Sequence, residues 1–73
     1  MNQFQTWMTI KYIEWRGNAM GRNGTISAYA RWVGVPQPTM SEWLNGNNVP
    51  ESPKNIKALV DKYGKEVYEV LYH

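Results

Sequence analysis

The sequence I26-S-A-Y-A-R-W-V-G-V-P-Q-P-T-M-S-E-W43 carries two short amphipathic helical patterns on either side of a glycine. In the first pattern the apolar residues are spaced i, i+3, i+4 and i+7, which is one face of a helix. These residues are Ile26, Tyr29, Ala30 and Val33. Gly34 follows, where a helix C-terminus favours a residue that can take positive φ. The second pattern repeats the spacing with Met40, Trp43 and Leu44. Because helices this short are unstable alone, the stretch predicts two helices packed together at a steep angle.

The second helix has a polar face opposite its apolar one. At about 100° per residue, five side chains fall together on that face. They are Gln37, Pro38, Ser41, Glu42 and Asn45. Pro38 suits a first helical turn, where its missing N–H would have no partner anyway, and Gln37 then lies at the tip of the helix. We therefore expect the two helices to hold this polar face toward a partner outside the chain.

Four residues of the stretch have the spacing of a helix-turn-helix, namely Ala30, Gly34, Met40 and Trp43. In its details the stretch resembles the helix-turn-helix of the phage Cro and repressor family. Ala30 is small where the second helix crosses, Gly34 makes the turn, and Val35 fills the corner. The chain then continues in the family's order with W43-L-N-G46, Pro50, an apolar helix, Tyr63-Gly64 and V67-Y-E-V-L71. The resemblance thus covers residues 25–71.

The resemblance implies sequence-specific binding of double-stranded DNA by a small phage or prophage transcriptional regulator, such as a repressor. The second helix of such a unit lies across the DNA backbone, and the third, residues 37–45, lies in the major groove. The residues expected to contact bases are Gln37, Pro38, Ser41 and Glu42. An amide such as that of Gln37 pairs with adenine N6 and N7, and a carboxylate such as that of Glu42 accepts from cytosine N4. Glu42 departs from the family, which often has arginine, another basic residue or a neutral residue at this position.

The resemblance also places phosphate contacts around the start of the second helix and after the third. The residues expected there are Arg22, Thr25, Ile26, Ser27, Thr39, Asn45, Asn47 and Asn48. Thr25 is the predicted N-cap of the second helix, and the free amides of residues 26 and 27 can bind phosphate directly. Asparagine side chains donate to phosphate oxygens. The family usually has a glutamine where this chain has Ile26, and the loop at residues 17–24 is longer than the family's norm.

The chain as a whole is expected to be one all-α domain, residues 1–73, with its helix-turn-helix unit at residues 25–45. The resemblance implies a compact bundle of about five short helices, like that of lambda repressor. Residues 3–16 are predicted to form the first helix. We expect its inward face to carry Phe4, Trp7, Ile10 and Ile13.

Two further helices are predicted after the polar loop that ends near Pro53. Ser52 and Pro53 have the pattern of a cap followed by a first turn, so a fourth helix begins there. Its inward residues are expected to be Ile56, Leu59, Val60 and Tyr63. Gly64 ends this helix. A last helix over residues 65–72 would pack through Val67, Val70 and Leu71.

The four tryptophans are expected to have different roles. Trp7 and Trp43 are predicted core residues, Trp15 fits either core or surface, and Trp32 falls on the outer side of the second helix. Members of the family often bind two-fold-symmetric operators as dimers. The residues considered for a homodimer interface on DNA are Trp32, Tyr68 and Tyr72. Isolated aromatic residues on a surface have no partner about as often as they mark an interface.

Composition argues against an enzyme or a metal protein. The chain has no cysteine and a single histidine, His73, which excludes disulfides and thiolate sites and disfavours histidine-based chemistry. No glycine-rich loop follows a strand, and Glu66 and Glu69 form no recognisable acid–base pair. We therefore expect no catalysis, no cofactor and no metal. The N-terminus lacks the features of a signal peptide, and no apolar run approaches the roughly 20 residues that span a bilayer, so a cytoplasmic protein without membrane contact is expected.

The charge distribution leaves other functions open beside specific DNA binding. The net charge of +2 weakly indicates an anionic partner, and no lysine or arginine lies between Trp32 and Pro53. A protein-interaction module, such as an antitoxin-like or regulatory partner, is favoured by the Trp- and Tyr-rich surface and the almost uncharged third helix. A non-specific architectural DNA binder is the remaining alternative, which the low positive charge disfavours.

Overall fold

The computed structural model describes residues 2–18 and 24–72, and this part of the chain folds into five α-helices without a strand. The helices are α1 (Gln3–Asn18), α2 (Ile26–Val33), α3 (Gln37–Leu44), α4 (Pro53–Tyr63) and α5 (Glu66–Leu71). The predicted all-α bundle of about five short helices is confirmed. α1 extends beyond its predicted end at residue 16, and α5 is shorter than the predicted 65–72. Within the described ranges, no helix has the length and apolar character needed to cross a membrane.

α2 begins and ends as its flanking residues predict. Thr25 is the N-cap, and its hydroxyl accepts a hydrogen bond from the amide of Ala28 at 3.2 Å. Gly34 follows the last helical residue with φ 101°, in the left-handed region that favours glycine. The amides of Gly34 and Val35 both donate to the carbonyl of Ala30, at 2.8 and 3.0 Å. The chain therefore leaves α2 in a tight turn and begins α3 at Gln37.

α3 is fixed at both of its ends. Pro38 lies in its first turn, as predicted, and Gly46 follows its C-terminal end with φ 79°. A Cβ at Gly46 would lie 2.6 Å from Oε1 of Gln5, so a side chain there would displace the Gln5 amide. Nε2 of the same Gln5 donates to the carbonyl of Leu44 at 3.2 Å. The C-terminal end of α3 is thus tied directly to α1.

Side chains from all five helices form one core in the described part of the chain. The buried hydrophobic residues are Phe4, Met8, Tyr29, Ala30, Val33, Val35, Met40, Trp43, Leu59 and Val67. Val35 fills the corner between α2 and α3, as predicted. The rings of Phe4 and Trp43 meet edge to face with centroids 5.6 Å apart, which joins α1 to α3. Within the described residues, α2 and α3 therefore share one core with the other three helices.

The predicted inward face of α1 is wrong for two of its four residues. Ile10 and Ile13 are 48% and 59% exposed, whereas Met8 is completely buried. The helix is apolar on nearly every side, so its periodicity does not select a face. The rings of Tyr12 and Trp15 pack against Tyr29, with centroids 5.2 and 5.1 Å away. These contacts turn α1 so that the isoleucines point outward.

α4 and α5 close the core from the other side. α4 begins at Pro53 with Ser52 as its N-cap residue, as predicted, but the Ser52 side chain makes no capping hydrogen bond. Leu59 is fully buried. The other residues predicted to face inward are half-buried, namely Ile56, Val60 and Tyr63. α5 is attached to α1 through the Glu66 carboxylate, which accepts from Nε1 of Trp7 at 2.8 Å and pairs with the Lys11 ammonium at 3.1 Å.

Ionisable groups in these helix contacts have shifted pKa values. The hydroxyls of Tyr29 and Tyr63 lie 2.7 Å apart, and burial raises the pKa of both phenols, most strongly that of Tyr29. Hydrogen bonds from Trp7 and Lys11 lower the pKa of the Glu66 carboxyl. The same contact with Glu66 raises the pKa of Lys11. These shifts belong to the contacts between α1, α2, α4 and α5, so they act on the stability of the fold.

Candidate nucleic-acid interface

The outer face of α3 presents the polar side chains that the helical spacing grouped together. Gln37, Pro38, Glu42 and Asn45 are exposed, while Ser41 is half-buried at the edge of the face. On the opposite side of the helix, Met40 and Trp43 are 0% and 2% exposed. Because the apolar side is locked in the core, α3 cannot rotate without losing these contacts. The polar side is therefore held outward in a fixed orientation.

Two residues of this face are bonded to each other. Nε2 of Gln37 donates to Oγ of Ser41 at 2.9 Å, across one turn of α3. The bond uses one of the two amide protons of Gln37, and it leaves the other proton and the carbonyl oxygen free. A glutamine held in this way still presents an adjacent donor and acceptor. That is the combination that pairs with the N7 and N6 groups of adenine in the major groove.

A groove of about 350 Å³ runs along α3 beside this face, which we call the acidic groove. Its lining residues are Pro38, Thr39, Glu42, Trp43, Asn48, Val49, Glu51, Ser52 and Asn55. The groove thus contains the carboxylates of Glu42 and Glu51, and no lysine or arginine lines it among the described residues. A phosphate would be repelled there. A group that donates hydrogen bonds, such as the exocyclic amine of cytosine or a basic side chain, would be attracted.

The start of α2 offers backbone donors. The Thr25 hydroxyl serves the amide of Ala28, and the carbonyl of Thr25 accepts from the amide of Tyr29. Among the described residues, the amides of Ile26 and Ser27 have no acceptor. Free amides at a helix N-terminus, together with the helix dipole, favour an anion. The structure therefore places the predicted phosphate contacts of Thr25, Ile26 and Ser27 together at one helix end.

Arg16 lies beside the same helix end, which the sequence did not predict. A methyl group added at Gly24 would lie 3.4 Å from its Cγ and 3.6 Å from its Nε. Its guanidinium carbon lies 5.6 Å from the centroid of the Tyr12 ring, and the Tyr12 hydroxyl donates to the carbonyl of Gly24 at 2.8 Å. Tyr12 and Arg16 are one helical turn apart, and this spacing was the available signal. Arg22, the cation that the sequence favoured here, lies outside the described residues.

The remaining predicted phosphate contacts lie on and after α3. Asn45, Asn47 and Asn48 are exposed, and Asn45 is the C-cap residue of α3. Thr39 is half-buried. Thr39 and Asn48 both line the acidic groove. The predicted set thus divides into residues at the start of α2 and residues around the acidic groove.

The residues considered for a dimer interface lie on different helices. Tyr68 and Tyr72 of α5 are 47% and 68% exposed, and their rings stack with centroids 6.2 Å apart. Trp32 of α2 is 43% exposed, and its ring stacks on Tyr29 at 6.0 Å. In the described part of the chain, no ring contact joins Trp32 to either tyrosine. The three residues therefore do not form a single aromatic patch.

Of the two tryptophans predicted to be core residues, Trp43 is one and Trp7 is not. Trp43 is 2% exposed and belongs to the core, as predicted. Trp7 and Trp15 are half-buried and pack against the edge of the core. Trp7 also uses its indole N–H, which donates to Glu66. Trp7 is therefore a link between α1 and α5 more than an interior residue.

Comparison of the chain with protein-family models, with curated proteins and with solved structures found no match. The function of the chain is therefore inferred from its own residues. The relevant features are the polar face of α3, the donors at the start of α2 and the acidic groove between α3 and the start of α4.

Proposed function

We propose that this chain is a sequence-specific double-stranded DNA-binding protein, a small transcriptional regulator of the phage Cro and repressor type acting in the cytoplasm. The observation that supports this proposal is the outer face of α3. Its polar residues point outward because Met40 and Trp43 anchor the opposite side in the core. An α-helix with its side chains is about 10–12 Å across, which fits a major groove about 12 Å wide.

In the proposed complex α3 lies in the major groove and α2 crosses the backbone. Gln37, Ser41 and Glu42 face the base edges, with Pro38 in apolar contact beside them. Gln37 is suited to adenine and Glu42 to the amine of cytosine. Glu42 is tolerated in this position only over a base that donates, because the neighbouring Glu51 adds a second negative charge to the acidic groove. The carboxylates thus disfavour sequences that present only acceptors there.

Backbone phosphates would be held on both sides of α3. At the start of α2 the donors are the Thr25 hydroxyl, the amides of residues 26 and 27, and the Arg16 guanidinium. After α3 they are the side-chain amides of Asn45 and Asn47, whereas Asn48 lines the acidic groove, where a phosphate is repelled. With so few cations, each monomer would neutralise about 3–5 phosphates, and log K would fall with log[salt] with a slope of about −3 to −4.5.

A two-fold-symmetric operator would require a homodimer on DNA. Tyr68 and Tyr72 are the better candidates for its interface, because their stacked rings lie on the surface of α5. Trp32 is less suited, since its ring already packs on Tyr29 and Tyr63. Small two-fold interfaces of this kind form on adjacent half-sites about one helical turn of DNA apart.

The experiment that tests the proposal is selection of duplexes from a random DNA pool, followed by titration of selected and random duplexes at several salt concentrations. The proposal predicts an enriched motif that binds at least about 10³-fold more tightly than random DNA. Equal affinity for both would support a non-specific architectural binder. Absence of binding at about 50 mM salt, where phosphate contacts are strong, would exclude DNA as the partner.

The acidic groove favours one alternative function, a protein-interaction module with a basic partner segment. Glu42 and Glu51 line the groove together with Asn48 and Asn55, and all four can accept hydrogen bonds from lysine or arginine. This alternative predicts that Glu42→Gln with Glu51→Gln abolishes partner binding. The proposed DNA function predicts a different result for the same double variant. Its affinity for non-specific DNA should rise, because two negative charges are removed.

A further inference from the structure

A second cavity, of about 230 Å³, lies where α1, α2 and α4 meet. Its lining residues are Lys11, Glu14, Trp15, Asn18, Trp32 and Tyr63. We call this cavity the aromatic cleft. It shares no residue with the acidic groove or with the polar face of α3. The proposed DNA-binding function does not use it.

The walls of the aromatic cleft are rings contributed by three different helices. Trp15 and Trp32 have centroids 6.2 Å apart, and Trp32 and Tyr63 have centroids 6.1 Å apart with their planes at 64°. Trp32 remains 43% exposed although it is one of the largest apolar side chains in the chain. Rings in this arrangement favour a flat apolar ligand that stacks on one ring and meets the edge of another. Because drug-sized ligands need roughly 300–1,000 Å³, the cleft suits a ligand of one ring or two fused rings.

Two ammonium groups already lie over the aromatic rings of the cleft. Nζ of Lys62 lies 4.6 Å from the centroid of Trp32, and Nζ of Lys11 lies 5.6 Å from the centroid of Tyr63. Lys11 is neutralised by Glu66 at 3.1 Å and by Glu14 at 3.6 Å. Among the described residues, Lys62 has no carboxylate within salt-bridge distance. The Lys62 ammonium therefore supplies a positive charge at the Trp32 side of the cleft that no described carboxylate offsets.

We propose that the aromatic cleft binds a small planar aromatic carboxylate. The ring of the ligand lies against Trp15 and Trp32, and its carboxylate pairs with the Lys62 ammonium. Lys62 lies in the last turn of α4 with an exposed side chain over Trp32, so its ammonium would leave the face of Trp32 to meet the carboxylate. Glu14 also lines the cleft, where the Lys11 ammonium at 3.6 Å offsets its negative charge.

The test uses the full chain with ¹⁵N-labelled tryptophan and follows the indole N–H signals by NMR. Benzoate, the neutral benzamide and the cationic benzylamine are titrated in parallel. We expect benzoate to shift the Trp15 and Trp32 signals saturably. Trp43 lines the acidic groove and is the internal control, whose signal should not move. Benzamide should bind more weakly than benzoate, and benzylamine most weakly.

Lys62→Gln distinguishes recognition of the ligand's charge from non-specific apolar binding. This exposed substitution should lower the affinity for benzoate about two- to fivefold, as expected for a partly exposed ion pair, and should leave benzamide binding unchanged. Lys57→Gln, on the same helix but paired with Asp61, is the matched control and should change neither affinity. Equal binding of the three probes, non-saturable shifts, or a benzoate affinity that ignores Lys62→Gln would each overturn the proposal.

Discussion

Gln37 and Ser41 are joined by a hydrogen bond of 2.9 Å on the outward side of α3, so two side chains proposed to contact DNA act as one unit. The bond orients the Gln37 amide before any base is present. A side chain that is already ordered loses less entropy when it binds. The N-terminal end of α3 is therefore prepared for a contact that needs a donor and an acceptor side by side.

Gln37→Ala should weaken binding to the selected duplex by about 1–3 kcal/mol and relax the preference at one base pair. Binding to random DNA should hardly change, because Gln37 is not proposed to contact phosphates. Ser41→Ala is the companion variant, and loss of the orienting hydrogen bond should cost about 0.5–1.5 kcal/mol. Titrations at one fixed salt concentration measure the affinities of both variants for the selected and the random duplexes. A fall of equal size on both kinds of DNA would show that Gln37 contacts no base.

Arg16→Gln should weaken selected and random duplexes by similar factors and make the salt dependence shallower by about one unit of slope. The reason is that the Arg16 guanidinium lies at the start of α2, where backbone phosphates are proposed to bind. Lys62→Gln is the control, because it removes the same charge from a residue outside the proposed interface. Lys62 lies in the last turn of α4, over Trp32. An unchanged slope for Arg16→Gln would remove Arg16 from the interface.

Gly34→Val should destabilise the whole domain, because a β-branched residue is strained at φ 101°. Gly34→Ala isolates the backbone effect, since the nearest atom to a new Cβ is that of Ala58 at 3.8 Å and no clash arises. The alanine variant should lose about 1–2 kcal/mol in urea unfolding, and the valine variant more. Gly17→Ala is the control: it lies in α1 with nothing within 4 Å of its new Cβ, and it should gain about 0.5–1 kcal/mol.

The buried tyrosine pair predicts a loss of stability at alkaline pH. The unfolded chain releases phenol protons near pH 10, whereas burial raises the pKa of Tyr29 and Tyr63 in the folded chain. The folded state thus holds more protons above pH 10, and the free energy of unfolding falls as the pH rises. Below that pH the contribution is fully present.

Tyr63→Phe tests this pair against the exposed Tyr68→Phe. At neutral pH, Tyr63→Phe should cost about 1–3 kcal/mol because it leaves the Tyr29 hydroxyl without its partner. Above pH 10 the free energy of unfolding of this variant should fall less steeply than that of the wild type. The two slopes should differ by up to about 1.4 kcal/mol per pH unit, because the variant has one fewer phenol with a raised pKa. Tyr68→Phe should follow the wild type. Parallel curves for all three proteins would contradict the assigned pKa shifts.

The turn between α2 and α3 could be predicted from sequence because its determinants are local. Thr25, Gly34 and Pro38 each act within a few residues of their own position, and each has the predicted capping or turn role. The buried side of α2 and α3 followed from a clear apolar period. The outward polar face is the direct geometric consequence of that burial.

The other features depend on contacts between distant residues. The rotation of α1 is set by aromatic contacts with Tyr29, which the period of an almost wholly apolar helix does not encode. Arg16 approaches Gly24 only because α1 and α2 pack together. Likewise, Glu42 and Glu51 share a groove because the loop after α3 folds back along it. Apart from the one-turn spacing of Tyr12 and Arg16, no local pattern marks these relationships.

The most direct test of the central claim is to map the bound surface by NMR, with the labelled protein and a duplex selected from the random pool. The account predicts that amide shifts concentrate on residues 37–45 and at the start of α2, and that the Gln37 side-chain amide moves strongly. A bound complex whose shifts fall on α5 or around Trp32, with α3 unchanged, would contradict it, as would a chain that selects no duplex at all.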